Sequence, residues 1–222
     1  MYIIVSDLHI GSRHFKYAQF LSFLGALPSH ATLIFNGDTF DGNWNRVAAE
    51  PYSTIIGLLK AVAKERRLIL IAGNHDADIR VHMRGAEYRK YIVLYDTLYV
   101  SHGDDFDNVM PRNRTFVTLF RWVHGLRVRL GATPIHVAQY AKRWRPFYRF
   151  LRRNVMLNAV EHAREQGYAT IACGHVHHPE DSVVEGVRYI NSGCWTEDEL
   201  YYIRVEREDV SLVRYQPGDV VR

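Results

Sequence analysis

Two cysteines, Cys173 and Cys194, are all that the 222 residues contain. So few thiols, each beside an expected active-site turn, argue against a disulfide-stapled fold and fit a reducing compartment. No apolar run approaches the roughly 18 residues of a membrane span, and no internal repeat is present, which sets aside transmembrane and solenoid architectures. Met1 opens directly into an apolar strand without a signal-peptide pattern, so the chain is expected in the cytoplasm. The most informative absence is local. Residues 111–153 hold eleven Lys or Arg and no Asp or Glu, leaving 17 basic against 24 acidic residues elsewhere, so the overall net charge of +4 hides a strong dipole. A solvated helix face would carry both signs. The one-signed segment suits a polyanionic ligand, an anionic membrane surface or nucleic acid.

What is present is globular: 47% apolar residues and 13% aromatics, in a length sufficient for one good core. The organising stretch is residues 32–41, TLIFNGDTFD, an apolar run that stops at Gly37 and hands over to Asp38. It reads as a buried strand with a carboxylate at its tip, where open α/β sheets place their chemistry. The pattern recurs in YIIVSDLH, LILIAGNHD, TLYVSHGD and ATIACGHVH. Five strand tips thus offer Asp7, His9, Asp38, Asn74, His75, His102, His175 and His177 as donors. Nitrogen and hard oxygen donors without sulfur suit Mn, Fe, Zn or a similar divalent ion.

The spacing predicts helices over residues 14–27, with Tyr17, Leu21 and Leu24 as the buried stripe, and from a Ser53 or Thr54 cap, with Ile55, Leu58, Leu59 and Val62 inward. Strands are expected over 68–72, over 91–95 and 98–101 around an Asp96-Thr97 turn, and over 169–173. Four more are expected over 181–184, 187–191, 200–205 and 210–215, with turns at Glu185-Gly186 and Glu208-Asp209. Within the basic segment, Phe116, Leu119, Phe120 and Val123 form one helical stripe, and Val137, Tyr140, Ala141 and Trp144 another. A break falls near residues 131–133, and Pro146 is expected to kink or end the second helix. A further helix spans 154–166, with Met156, Val160 and Ala163 inward and Gly167 as its C-cap.

Taken in order, Asp7-x-His9, Gly37-Asp38-x-x-Asp41, Gly73-Asn74-His75-Asp76, His102 and Gly174-His175-x-His177 resemble the calcineurin-like metallophosphoesterase family over residues 1 to about 195. The resemblance implies an α/β fold, a four-layer α/β/β/α sandwich in one domain over 1–222, with residues 111–166 as a basic helical cap insertion. It also implies two divalent metal ions, Mn foremost with Fe, Zn or Mg as alternatives, about 3.5–4 Å apart. Asp7, His9 and His177 would hold one, and Asn74, His102 and His175 the other. Asp38 would bridge them. His75 would face the substrate phosphate and assist the leaving oxygen, with Asp76 fixing its tautomer.

A narrower resemblance is carried by His102-Gly103-Asp104-Asp105-Phe106-Asp107, the basic insertion, residues 173–179 (CGHVHHP) and residues 189–193 (YINSG). These look like the bacterial UDP-2,3-diacylglucosamine pyrophosphatase group, whose helical cap receives acyl chains. The chain departs from that group at His75, where the established enzymes have arginine, and at Cys194, where many relatives have an acid. The His75 version resembles phosphoesterases of broader range, so nucleotides and other phosphoesters stay open as substrates. Asn43, Trp44, Arg112, Arg114, Arg121, Arg143 and Arg149 are the candidate contacts to a phosphorylated small molecule or lipid-nucleotide. Peripheral contact with an anionic membrane is compatible with the segment. Nucleic acid is disfavoured, because an electrostatic patch alone needs no aromatics at helical spacing.

Overall fold

The computed structural model describes residues 1–41, 52–76, 83–110, 122–123, 125–131 and 142–221. Along the chain run β1 (Tyr2–Val5), α1 (Tyr17–Ala26), β2 (Thr32–Asn36), α2 (Tyr52–Glu65) and β3 (Leu68–Ile71). Next come β4 (Glu87–Arg89), β5 (Tyr91–Leu94), β6 (Leu98–Ser101), a 3₁₀ turn at Asp104–Phe106 and α3 (Arg145–Gln166). The chain finishes with β7 (Thr170–Cys173), β8 (Pro179–Val184), β9 (Val187–Ser192), β10 (Leu200–Glu206) and β11 (Asp209–Tyr215).

Two sheets form, in the orders β11-β10-β1-β2-β3-β4 and β5-β6-β7-β9-β8. Their central strands are apolar on both faces because both faces are covered, the usual reason for a continuous hydrophobic run. Alternation sends Ile3, Val5, Leu33, Phe35, Leu68 and Leu70 to an outer core that also contains Phe20, Phe23, Ile55 and Leu59 of the helices. Ile4, Ile34, Ile69 and Ile71 turn the other way, against Val100, Ala172 and Ile190 of the second sheet. Val155, Ala159, Val160 and Ala163 of α3 are buried. Ala159, Val160 and Ala163 pack with Ile171, Cys173 and Tyr189 on the far side of that sheet. The result is the four-layer α/β/β/α sandwich.

The apolar stripes need adjustment. In α1 the fully buried residues are Phe20 and Phe23, with Tyr17, Leu21 and Leu24 only partly buried around them. The reason is Trp195, which reaches in from a distant loop and packs edge-on to Phe20 at 5.4 Å and tilted against Phe23 at 4.9 Å. In α2, which begins at Tyr52 rather than behind a Ser53 or Thr54 cap, Ile56 faces the core and Leu58 is 42% exposed. Lys142 is still helical, residues 143–144 form a turn and bend, and a new helix starts at Arg145, so the expected break falls just before Pro146. Pro146 occupies the first turn of α3, where its missing N–H costs nothing, and α3 runs unbroken from there to Gly167, whose φ of 79° provides the C-cap. The segment expected as a cap over 111–166 therefore ends in a helix whose second half is a layer of the sandwich.

Strand β4 was not visible in the pattern because Glu87-Tyr88-Arg89 is a short polar edge, joined to β3 in parallel and tied by an Arg67–Glu87 ion pair of 2.6 Å. The last hairpin turns at Arg207-Glu208, one residue before the expected dipeptide, with Arg207 at a φ of 56°. Residues 125–129 are helical and Gly131 follows with a φ of 91°, in keeping with a break there. Of the expected stripes, Val123 is helical and exposed, and Trp144 is the exposed N-cap of α3; the other stripe residues lie outside the described residues.

Candidate metal centre

Strands β1, β2, β3, β6 and β7 end on one edge of the sandwich, and each is followed by a loop carrying candidate donors. The loops interlock by backbone hydrogen bonds: Asp7 N–H to Gly37 C=O (3.1 Å), His9 N–H to Asp38 C=O (2.9 Å) and Gly174 N–H to His102 C=O (2.8 Å). Asp7, His9, Asp38, His175 and His177 all have φ between 48° and 65°, a region that residues with side chains rarely adopt. Strain of this kind persists where the surroundings over-determine it, typically at working sites. The loops approach so closely that a Cβ on Gly37 would lie 2.3 Å from the His102 ring, and one on Gly174 2.4 Å from Asp7 Oδ2.

The side chains converge accordingly. His177 Nε2 is 3.1 Å from Asp7 Oδ1 and 3.2 Å from His9 Nε2, so Asp7, His9 and His177 form one compact donor group, as expected. Asp38 Oδ2 lies 3.8 Å from His9 Nε2, while its Oδ1 lies 3.5 Å from His102 Nε2. Asp38 thus takes part in two further groups, His9-Asp38-His75 and Asp7-Asp38-His102. One carboxylate facing two donor sets is the geometry of a bridging ligand.

The remaining expected donors are arranged differently. Asn74 is exposed on its loop, between Gly73 and a His75 whose backbone N–H donates to Asp38 Oδ1 at 2.9 Å. His175 is turned so that Nε2–H donates to Asp107 Oδ2 at 2.9 Å, with its ring 5.4 Å from that of His102. His75 sits nearer the centre than expected: its Nε2 is 3.9 Å from Asp38 Oδ2 and its ring meets His9 edge-on at 5.1 Å. Asp76 does not orient His75. Its two carboxylate oxygens accept the backbone N–H groups of Phe40 and Gly73, at 3.1 and 3.0 Å, and so clamp the β2 and β3 loops together. Burial and the nearby Asp38 push the Asp76 carboxyl up to about 7. Arg143 and Arg149 are exposed, and Asn43, Trp44, Arg112, Arg114 and Arg121 lie outside the described residues.

Residues that the sequence did not single out hold the donors in place. His102 Nδ1 is 3.0 Å from the Asn36 carbonyl, which can only accept, so Nδ1 carries a proton and Nε2 is the atom turned towards Asp38. Asp107 does the equivalent for His175, leaving Nδ1 as the ring's free donor atom. The HGDDFD run contained that signal, since an acid a few residues beyond a ligand histidine is a common outer partner.

Electrostatics test whether cations fit. Burial raises the Asp7 carboxyl, but His177 and His102 outweigh it and bring it down to about 2. Asp38 is likewise driven well below the carboxylate range by His102 and His9, against its burial. Burial opposes protonation of His102, yet Asp38 and Asp7 lift it to about 10, and His177 is raised well above its ordinary value by Asp7 and Cys194. Two buried, ionised carboxylates thus demand compensating positive charge. Divalent ions would meet that demand with these four groups as candidate ligands, and the buried His102 Nε2 is turned towards the place.

The family profile of the calcineurin-like phosphoesterases matches residues 2–213. The chain belongs to that family. It is a metal-dependent phosphoester hydrolase, and the family is dimetal-dependent. No curated protein matches. Among solved structures, the calcineurin-like phosphoesterase described here is similar to YfcE, a phosphoesterase from E. coli, at 13% identity over 98% of this chain and 99% of that one, with a TM-score of 0.48. It is also similar to a novel archaeal phosphodiesterase (14% identity, 96% and 99% covered, TM-score 0.45). Vps29 from Entamoeba histolytica aligns at 12% identity over 97% and 99%, with a TM-score of 0.48. No described helix is long and apolar enough to cross a membrane.

Proposed function

We propose that this phosphoesterase cleaves the phosphoanhydride of an acyl-bearing nucleotide sugar of the UDP-2,3-diacylglucosamine type, with Mn as the native metal, while peripherally attached to an anionic membrane face. The observation that carries this reading is that exposed cations and exposed large apolar groups share the basic segment. Trp122, Leu130, Trp144 and Phe150 are 62, 79, 50 and 59% exposed, and Arg143 and Arg149, next in sequence to the last two, are exposed as well. Apolar side chains of that size, gathered in one stretch, favour a greasy ligand over water. The arginines supply phosphate or headgroup contacts. Asn43, Trp44, Arg112, Arg114 and Arg121 belong to the same proposed contact set.

The ions supply Lewis-acid polarisation of the phosphoryl group and a water activated near neutral pH. Asp38 joins the two donor sets, Asn36 and Asp107 fix the tautomers of His102 and His175, and Asp76 keeps the β2 and β3 loops in register. His75, with its side chain 34% exposed, reaches from the buried donors to the surface, where it hydrogen-bonds the departing oxygen and delivers a proton to it. A second reading, hydrolysis of nucleotides or other small phosphoesters, is favoured by the histidine at position 75.

A substrate panel in the presence of Mn separates the two. UDP-2,3-diacylglucosamine should be turned over with a kcat/KM at least tenfold above that for UDP-sugars lacking acyl chains, cyclic nucleotides and aryl phosphates. Equal rates on acylated and unacylated substrates would remove the lipid part of the reading. Preference for cyclic nucleotides would establish the second.

A further inference from the structure

Beside the metal centre, reached through His177, lies a cavity of about 280 Å³ bordered by Lys142, His177, His178, Cys194, Glu197 and Glu199. We propose that His177, Cys194 and Glu197 form an additional divalent-cation site, selective for zinc, that opens into this cavity and shares His177 with the catalytic pair. This reading goes beyond the hydrolytic one and does not depend on which substrate is cleaved.

Donor geometry comes first. One atom from each of the three residues lies within 4.8 Å of the other two, the spread expected of ligands that surround a single ion at about 2.0–2.3 Å. His177 turns Nε2 towards Asp7 and His9. With both ring protons lost to solvent, the His177 imidazolate offers one lone pair to each site, and the Cys194 thiol likewise gives up its proton as the ion binds.

The loop holding Cys194 is fixed on both sides. Gly193 N–H donates to Asn191 Oδ1 at 3.0 Å, and Trp195 N–H donates to the Asp7 carbonyl at 3.1 Å. Cys194 and His177 are 3% and 5% exposed, so the sulfur is presented from a buried, ordered position while the cavity gives access. The site already attracts positive charge: the Lys142 ammonium sits 2.8 Å from both Glu197 oxygens and also donates to the His177 carbonyl. Lys142 is a resident cation that a metal would displace.

The donor set fixes the choice of metal. Mg and Mn prefer oxygen ligands, whereas a nitrogen, a thiolate and a carboxylate in near-tetrahedral reach, with room for a water, suit zinc. Catalytic donors include no sulfur, so a sulfur signature reports this site alone.

The test loads full-length protein with Co(II) in place of zinc and records its near-ultraviolet spectrum, then measures metal content after zinc loading. Wild type should display a sulfur-to-cobalt charge-transfer band and hold one zinc ion more than Cys194→Ser, which should lack the band. Lys142→Met should tighten the zinc that depends on Cys194 several-fold, because the competing ammonium is gone. A cobalt-loaded wild type without the sulfur band overturns the proposal, and this needs no variant to fold. Equal zinc content in wild type and Cys194→Ser overturns it as well. The ions that remain in Cys194→Ser report the catalytic pair, so failure of the two-metal reading would appear there and nowhere else.

Discussion

Asp7, Asp38 and His102 are 0, 2 and 1% exposed, whereas Arg143 and Arg149 at the other charged region of the molecule stand in solvent. The contrast is one of necessity. A buried carboxylate must be paired, hydrogen-bonded or bound to a cation, so its neighbours are constrained from several strands at once. An exposed arginine is satisfied by water and constrains nothing around it. Where the basic segment does meet the sandwich, it does so through side chains at its edge: Lys142 on Glu197, Tyr148 Oη–H on the Val176 carbonyl at 2.8 Å, and Arg152 3.5 Å from Glu180. These contacts all fall on the β7–β9 side, next to His177. The comparison therefore predicts large and local losses in the first region, and small, substrate-dependent ones in the second.

The largest effect should come from Asp38→Ala. It removes the carboxylate common to two donor groups, and with it several kcal/mol of transition-state stabilisation, on the order of 10⁴-fold in rate. Metal content measured after loading with excess Mn should fall below two ions per chain. Full activity with unchanged metal content would dissolve the distinction between the two regions at its strongest point.

Next in size is His75→Ala, with a loss of roughly 10² to 10⁴ in turnover. Because His75 lies within the His9-Asp38-His75 donor group, two readouts are needed. Proton delivery to the leaving oxygen predicts a smaller loss on nitrophenyl esters than on alkyl esters, with metal content intact. Loss of metal together with equal loss on both esters would instead make it a ligand.

How far the sequence carried depended on the same contrast. Asp7, His9, Asp38, His102 and His177 were legible because each follows an apolar run that can only be a buried strand, and residues on one sheet edge must converge. Sequence spacing could not reveal which way a side chain turns on its loop. His75 was expected outside the ligand group and lies against Asp38, and Asp76 was expected on His75 and instead bonds backbone N–H groups 36 and three residues away. Both outcomes depend on the packing of two loops, not on one segment's pattern. Trp195 illustrates the rest. It is among the largest fully buried side chains and redefines the inner face of α1, yet it sits in a loop with no periodicity. At the basic segment the sequence read a break near Gly131 and another at Pro146, and beyond it the C-cap at Gly167. It could not show that a new helix starts at Arg145 and carries Pro146 in its first turn.

A third, intermediate effect tests the outer support of the site. Asp107→Asn keeps the shape but weakens the charge-assisted bond to His175 Nε2, so metal affinity should drop by about 10- to 100-fold, read by competition with a chelator. Asp107 Oδ1 also accepts both the Val109 and Met110 backbone N–H groups, at 2.8 and 2.9 Å, and the amide oxygen can keep both while its NH2 takes the place of Oδ2 opposite His175. Excess Mn should therefore restore most of the activity. Failure of Mn to rescue a folded variant would mean that Asp107 acts on more than His175.

The smallest effects belong to Arg143 and Arg149. Replacing both with serine removes two exposed charges that make no buried contact, so stability should stay within about 0.5 kcal/mol of wild type by denaturant titration. Turnover of a small aryl phosphate should be unchanged, because neither residue approaches the donor groups. If the two arginines hold phosphate or anionic headgroups, KM for an acyl-bearing nucleotide sugar should rise a few-fold at low salt. The difference should shrink as ionic strength passes about 0.15 M, where exposed charges more than roughly 8 Å apart are screened. A groove holding acyl chains through apolar area would keep most of its affinity across the same salt range, since burial of CH₂ groups does not depend on screening. A double variant that loses aryl phosphate activity as well would place these arginines in the chemistry, and the division between a buried catalytic region and an exposed recognition region would have to be redrawn.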